Sequence, residues 1–130
     1  MQREDHVSVI RSLLAAFATN DRALMDKAVT PDLVYHVPGH SPLAGDYHGL
    51  DAVLQLFQTF AEMLGGTLQV SAHDLMANDS HGVVMLKESA QRNGRHLDFE
   101  VIDVYHFRDG RISEAWTTPH DQARFDEFLS

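Results

Sequence analysis

The chain is expected to be an α+β protein, helices first and a curved antiparallel sheet after them. Three observations predict this. Apolar residues recur at helical spacing twice in the first half, at Val7, Ile10, Leu14 and Phe17, and again at Val53, Leu56, Phe57, Phe60 and Leu64. From Thr67 onward the period changes to two. The stretches near 67–77, 81–92, 95–108 and 111–118 are separated by Asn78-Asp79-Ser80, Asn93-Gly94 and Asp109-Gly110, the last two being strong two-residue hairpin signals. Four strands joined by tight turns make an antiparallel meander, and the helices before it supply the second layer.

Each element follows in order. Leu13 widens the stripe of the first helix, and Asn20-Asp21 after it are good helix-start residues. A short second helix carries Leu24, Met25, Ala28 and Val29; Thr30-Pro31 is expected to end it, because proline drives its predecessor out of the helical region. Leu33-Val34-Tyr35-His36-Val37 reads as a short strand. The third helix closes at Gly65-Gly66. Pro119 is expected to stop the last strand, and Phe125, Phe128 and Leu129 point to a short C-terminal helix. The architecture is thus a four-strand meander plus a short N-terminal strand, covered by three N-terminal helices, with a short C-terminal helix. Between such layers lies a cavity, the default ligand site.

Composition narrows the function. With 130 residues and 44% hydrophobic content, residues 1–130 are expected to form one domain with its own core. No apolar run approaches the length of a membrane span. The start, Met1-Gln2-Arg3-Glu4-Asp5-His6, lacks the basic-then-apolar order of a secretory leader. Cysteine is absent, which removes disulfides, thiolate metal sites and cysteine nucleophiles, and fits a cytoplasmic location. A net charge of -9 with scattered basic residues argues against nucleic acid as a partner.

The segment from His36 to Gly49 is a shaped loop, held by two prolines and bent at three glycines. It carries His36, His40, Asp46, Tyr47 and His48, and reads either as a pocket rim or as a plain connector. On the third long strand, Leu97, Phe99, Val101, Asp103, Tyr105 and Phe107 share one apolar face, which should meet the helices. Asp103 is the one acid on that face. Desolvation raises such a carboxyl, so it is expected to be protonated at neutral pH and is a site candidate; a structural aspartate bonded to a neighbour is the alternative. His36, at the loop mouth, titrates near neutrality and suits proton transfer, or else caps loop carbonyls. Trp116 offers a flat wall for a ligand or a partner subunit, or fills the core, and Phe57 and Phe60 are core residues by spacing, of which at most one lines the cavity.

Other chemistries fit less well. His36 and His40 flank Pro38-Gly39 and lie on no helix, so no metal site is expected despite nine histidines. Ser41 and Ser113 lack a nucleophile-elbow context. Lys87 and Glu88 fall on opposite faces of a strand and could form a surface pair, with Glu88, like Asp103, a fallback base should His36 prove dispensable.

The whole order resembles the nuclear transport factor 2-like superfamily, and within it the SnoaL-like and ketosteroid isomerase-like proteins. The resemblance rests on the helix order, the Pro-Gly-x-x-Pro-Leu-Ala-Gly-x-Tyr-x-Gly loop at Pro38–Gly49, the meander, and the segment Phe107-Arg108-Asp109-Gly110-Arg111-Ile112-x-Glu114-x-Trp116. It implies a cone-shaped sheet enclosing the cavity, and sheet-to-sheet homodimers. Laying the isomerase's Ile-Asp-x-Phe-x-Phe strand on Ile102-Asp103-x-Tyr105-x-Phe107 makes Asp103 look like the oxyanion-hole acid. The isomerase base then falls on His36, and its first-helix tyrosine on Leu13, so that donor is absent. SnoaL-like cyclases often place an acid just after the tryptophan, where this chain has Thr117. Scytalone dehydratase-like members use histidine and aspartate, which a His36–Asp103 pair would match.

These readings converge on a small-molecule enzyme acting on a largely apolar, oxygenated ligand by proton transfer, of isomerase, cyclase or dehydratase type. His36 and Asp103 would be catalytic, and Tyr47, Phe57, Val101, Tyr105 and Trp116 would line the pocket. No cofactor is required for such chemistry. A non-catalytic ligand-binding or dimerisation module is the alternative. A homodimer is expected through the outward sheet face, with Val83 or Val84, Ile102 and Val104 at the contact.

Overall fold

The two periods of the sequence become two layers in the protein, seen here in a computed structural model that describes residues 3–130. Met1 and Gln2, part of the start read for a leader, lie outside the described residues. The elements are α1 (Arg3–Thr19), α2 (Arg22–Ala28), β1 (Val29–Val37), β2 (Gly45–His48), α3 (Leu50–Met63), β3 (Gln69–Ala77), β4 (His81–Arg92), β5 (Arg95–Arg108), β6 (Arg111–Pro119) and α4 (Gln122–Leu129). The strands form one curved, unclosed six-stranded sheet in the order β2-β1-β6-β5-β4-β3. The α+β class and the meander hold.

The turns explain the ladder. Asn93 and Gly94 sit at φ 52° and 75°, and Asp109 and Gly110 at 52° and 78°. Positive φ at both central positions gives the twist that two antiparallel strands need. β4 and β5 consequently pair without interruption from His81↔His106 to Arg92↔Arg95. Period two then sends Leu97, Val101, Asp103, Tyr105 and Phe107 to the helix-covered face and leaves His96, Asp98 and Glu100 exposed.

The helices cover that face with apolar stripes. Ile10, Leu13 and Ala16 of α1 and Val53 and Leu56 of α3 are buried, each large side chain contributing about 1.5–3 kcal/mol of transfer free energy. Phe17 and Tyr35 both meet the Phe57 ring edge-on, at 5.3 and 5.6 Å. Asp21 caps α2 and Asp121 caps α4, each accepting a backbone N–H three residues on. Arg92 ties the layers together: its guanidinium donates to the carbonyls of Met63, Leu129 and Ser130, joining the ends of α3 and α4 to β4.

Three local expectations are corrected. Val29 starts β1, four residues before Leu33, and Thr30-Pro31 lies inside that strand. Proline is tolerated there because β1 and β6 shift register between Val29 and Val34, so no regular ladder bond is demanded of it. Pro119 likewise ends β6 as a member of it. The shaped loop contains a strand, β2, which pairs with Val34–Val37 and makes the sixth member of the sheet. One seam also departs from the antiparallel pattern: β1 runs parallel to β6.

A candidate ligand cavity with unpaired carboxyls

Sheet and helices enclose a cavity of about 810 Å³. Its wall is mostly hydrocarbon, with Leu13 and Phe17 from α1, Phe57 and Phe60 from α3, Leu86 from β4 and Val101 from β5. The polar side chains on it are Tyr35, Glu88, Asp103, Tyr105 and Thr117 from the strands, with Asn20 and Gln58. No Lys, Arg or His among the described residues lines it.

Strand alternation and register gather this polar group. Leu33, Tyr35 and Val37 share one face of β1, and Val84, Leu86, Glu88 and Ala90 share the matching face of β4. Asp103 stands opposite Val84 on one side and Thr117 on the other, and Tyr35 opposite Ala115. Asp103 is 7% exposed. The Tyr105 hydroxyl donates to its Oδ2 over a long 3.5 Å, and its Oδ1 has no hydrogen-bond partner.

Burial therefore governs the titration of the cluster. Desolvation pushes the Asp103 carboxyl up to about 6, with the nearby Thr117 and Tyr105 hydroxyls holding it back. Its direction is the expected one, but the group is mostly ionised at neutral pH, because those hydroxyls favour the charged form. Burial, and next the charge of Asp103, push Glu88 up to about 8. Tyr35 and Tyr105 are raised well above 10, chiefly by burial and then by Asp103, so both phenols stay neutral donors.

The expected site residues divide between the two faces. Asp103, Phe57, Val101 and Tyr105 line the cavity. His36 does not: it is one residue along from Tyr35, and period two turns it to the open face. There its Nδ1 lies 2.7 Å from Asp46 Oδ1 and its Nε2 2.5 Å from Glu114 Oε2, with the ring stacked on Trp116 at 5.4 Å. The hydrogen bond to Asp46, then that to Glu114, raise its pKa against the pull of burial. Trp116 pairs with His36 across β1 and β6, so it too is absent from the cavity wall. A His36–Asp103 pair is thus not formed.

Tyr47 is drawn away as well. Its hydroxyl donates to the Leu43 carbonyl at 2.7 Å, and the ring packs against the core without lining the cavity. The shaped loop is anchored to α4, where the His40 N–H donates to Asp126 Oδ2 at 2.9 Å and Gly39, at φ 93°, leaves room for Gln122 and Asp126. Tyr35 is a site residue not expected from the sequence, and Glu88 is expected there only as a fallback base. Both were readable from alternation, since each falls in step with buried apolar neighbours on its own strand. Among the described residues no group of three or more His, Asp or Glu is arranged to hold a metal ion, and no helix is long and apolar enough to cross a membrane.

A curved sheet wrapped by helices around an apolar cavity with a few convergent polar groups defines the nuclear transport factor 2-like class. The signature of the SnoaL-like domain matches residues 10–115, and the chain belongs to the SnoaL-like family. An uncharacterised protein of Mycobacterium tuberculosis (strain ATCC 25618 / H37Rv) is 30% identical over 123 residues, 92% of this chain and 94% of that protein. A protein from a soil-derived mobile gene cassette superposes with a TM-score of 0.89 at 25% identity, covering 100% of both chains. The fold is shared with a putative polyketide cyclase from Streptomyces antibioticus, with a TM-score of 0.70 at 19% identity over 88% of this chain and 91% of that one.

Proposed function

We propose that the protein is a small-molecule enzyme that moves a proton on a largely apolar, oxygenated ligand without a cofactor, in a reaction of isomerase, cyclase or dehydratase type. The observation that carries this is Asp103: a buried carboxyl on an apolar cavity wall, with one oxygen unpaired and no cation beside it. Stripped of water and counter-ion, a carboxylate is a stronger base than in solution, and a pKa near the working pH is what general-base catalysis favours. Asp103 removes a proton from a carbon next to a ligand carbonyl. Tyr35 and Tyr105, neutral phenols on the same wall, donate hydrogen bonds to the oxygen that gains charge. Asp103 then returns the proton to a second position. Phe57, Val101 and the other apolar side chains hold the ligand body and exclude water. The role assigned to His36 from the resemblance passes to Asp103, because His36 faces away from the cavity.

The test is deuterium uptake. Enolisable cyclic ketones incubated with the protein in heavy water should exchange at the carbon beside the carbonyl. Asp103→Asn should lose about a hundredfold or more of that exchange while still binding the ketone. A ketone that binds in the cavity without exchanging would leave the protein a binder, a reading that the leucine at position 13, in place of a third donor, favours. We also propose a homodimer through the open sheet face, where Val83, Ile102, Val104 and Trp116 are partly exposed. Val84, the other candidate, is 0% exposed under the helices and has no part in that contact. A monomeric mass by light scattering at micromolar concentration refutes the dimer.

A further inference from the structure

Glu88 has no part in the proton transfer proposed above, yet it is the second carboxyl on the cavity wall. It has no hydrogen-bond or ion-pair partner among the described residues, and it lies close enough to Asp103 to feel its charge. Two other partly buried charges have partners: the terminal nitrogens of Arg92 meet carbonyls of two helix ends, and His36 meets two carboxylates. Among the described residues, the cavity acids have no cation beside them. An ionised carboxylate beside a second carboxyl in a hydrocarbon setting is stabilised by whatever brings a positive charge between them. No side chain lining the cavity does so.

We propose that the cavity takes an amphiphilic ligand carrying a basic nitrogen, whose ammonium group pairs with Glu88 in the field of Asp103 while its apolar body lies against Phe17, Phe57 and Phe60. This rests on the cavity being the ligand site and deepens that reading by naming the ligand's charge. Three chemistries are distinguished. A carboxylate ligand would set a further negative charge against that of Asp103 and hold Glu88 in its neutral form. A neutral ligand would leave both carboxyls as they are. A cation relieves both.

The approach has the same bias. Glu88, Val70 and Phe125 are shared with an adjoining recess of about 650 Å³, whose rim carries Asp98, Glu100 and Asp121 against Lys87 and Arg124. With a net charge of -9 on the chain, cations are drawn toward this side and anions repelled. The groups facing Glu88 are Asp103 from β5, Tyr35 from β1, and His120, Asp121 and Arg124 at the recess; its direct partner on β3, Val70, does not titrate. Of these, Asp103 is the one whose charge acts on it, so an arriving ammonium should drive Glu88 to release its proton.

The experiment compares naphthylethylamine, naphthylethanol and naphthylpropionate, which share an apolar body, by calorimetric titration at about pH 7.5. The amine should bind at least ~10-fold tighter than the alcohol and the carboxylate more weakly than either. Amine binding should release protons, read from the difference between buffers of unlike ionisation enthalpy. Glu88→Gln should bring the amine to within ~3-fold of the alcohol and leave the alcohol unchanged. Equal binding of amine and carboxylate, an amine preference that survives Glu88→Gln, or amine binding without proton release each overturns the proposal. If the alcohol binds and the amine has no advantage, the charge assignment falls and the cavity reading stands. If none of the three binds, both fall.

Discussion

On the open face of the sheet, His36 is held between Asp46 and Glu114 and stacked on Trp116. One residue earlier, on the other face, Tyr35 shares a cavity with Asp103 and Glu88, acids that no cation meets. Both clusters combine carboxyls with a ring and both draw on β1, the first with its neighbours β2 and β6 and the second with β4 and β5 across the curve of the sheet. In the first, opposite charges are paired at hydrogen-bond distance, and the histidine is pushed toward its charged form. In the second, burial leads and pushes both acids up, helped at Glu88 by the charge of Asp103 and opposed at Asp103 by the Thr117 and Tyr105 hydroxyls. The paired cluster has its partners built in and asks nothing of a ligand. The unpaired one has no such built-in partner, and that contrast is the ground for the ligand site proposed there.

The difference can be broken experimentally, and the largest effect is on turnover. Asp103→Asn should abolish deuterium exchange by about two orders of magnitude, whereas His36→Ala should leave it within about twofold. An exchange rate that collapses with His36 and survives without Asp103 would move the chemistry to the open face.

Stability gives the next effect, with a definite sign. Unfolded, the Asp103 carboxyl ionises near its ordinary value of 3.8; folded, near 6. The unfolded chain therefore sheds this proton first, and the folded state loses stability as pH rises from about 4 to about 6 and stays penalised above that. Asp103→Asn removes the penalty. It should be more stable than the parent at pH about 8, by on the order of 2–3 kcal/mol, and no more stable at pH about 4. Paired thermal melts at the two pH values check this, and an Asn variant less stable at the higher pH marks a paired, structural aspartate.

His36 should show the opposite slope and a smaller size. Its folded pKa is raised above 6.5, so its contribution is complete below the unfolded value and disappears as pH climbs through the folded one. His36→Ala should lower stability by about 1 kcal/mol in acid buffer and by little in alkaline buffer. Denaturant titrations near pH 5.5 and 9 separate the two; equal losses at both would mean that stacking on Trp116, and not charge, is what the ring supplies. The smallest effect is expected at Glu127, whose salt bridge to Arg95 is exposed on both sides. Glu127→Gln should change stability by about 0.5 kcal/mol or less in the same assay, and a larger loss would show that exposed pairs matter here more than burial.

How much of this was legible varied with the kind of signal. The hairpins at Asn93-Gly94 and Asp109-Gly110 were explicit, because few residues accept positive φ and the strands between them alternate cleanly. Asp103 was legible for the same reason: one acid in an apolar series. β1 was harder. Its proline masked the first four residues, and its short length gave too few alternations to decide which of Tyr35 and His36 faces inward. His36 is the expected base through its place at the loop mouth and through the resemblance, and neither carries facing; period two puts that position on the open face. Glu88 stands only as a fallback in the sequence because a Lys-Glu dipeptide reads as surface until the paired register shows that Val84, Leu86 and Ala90 share its face. Nothing local marks β2, whose four residues form a strand only because β1 lies beside them.

The parallel seam between β1 and β6 has a consequence in time as well as in space. It joins Tyr35 to Ala115 and His36 to Trp116, residues about eighty positions apart, and closing a loop of that length carries a large entropic charge before any contact repays it. The β3–β5 ladder needs only tight turns and can assemble early. The cavity cannot, because Tyr35 comes from the first third of the chain and Thr117 from its last part. The helices and β1 are made before Glu88 and Asp103, and β6, the last strand of the chain, lies between β1 and β5. The two halves of the cavity wall can therefore be joined only when β6 is in place, so the seam that spans most of the sequence is also the one that completes the cavity.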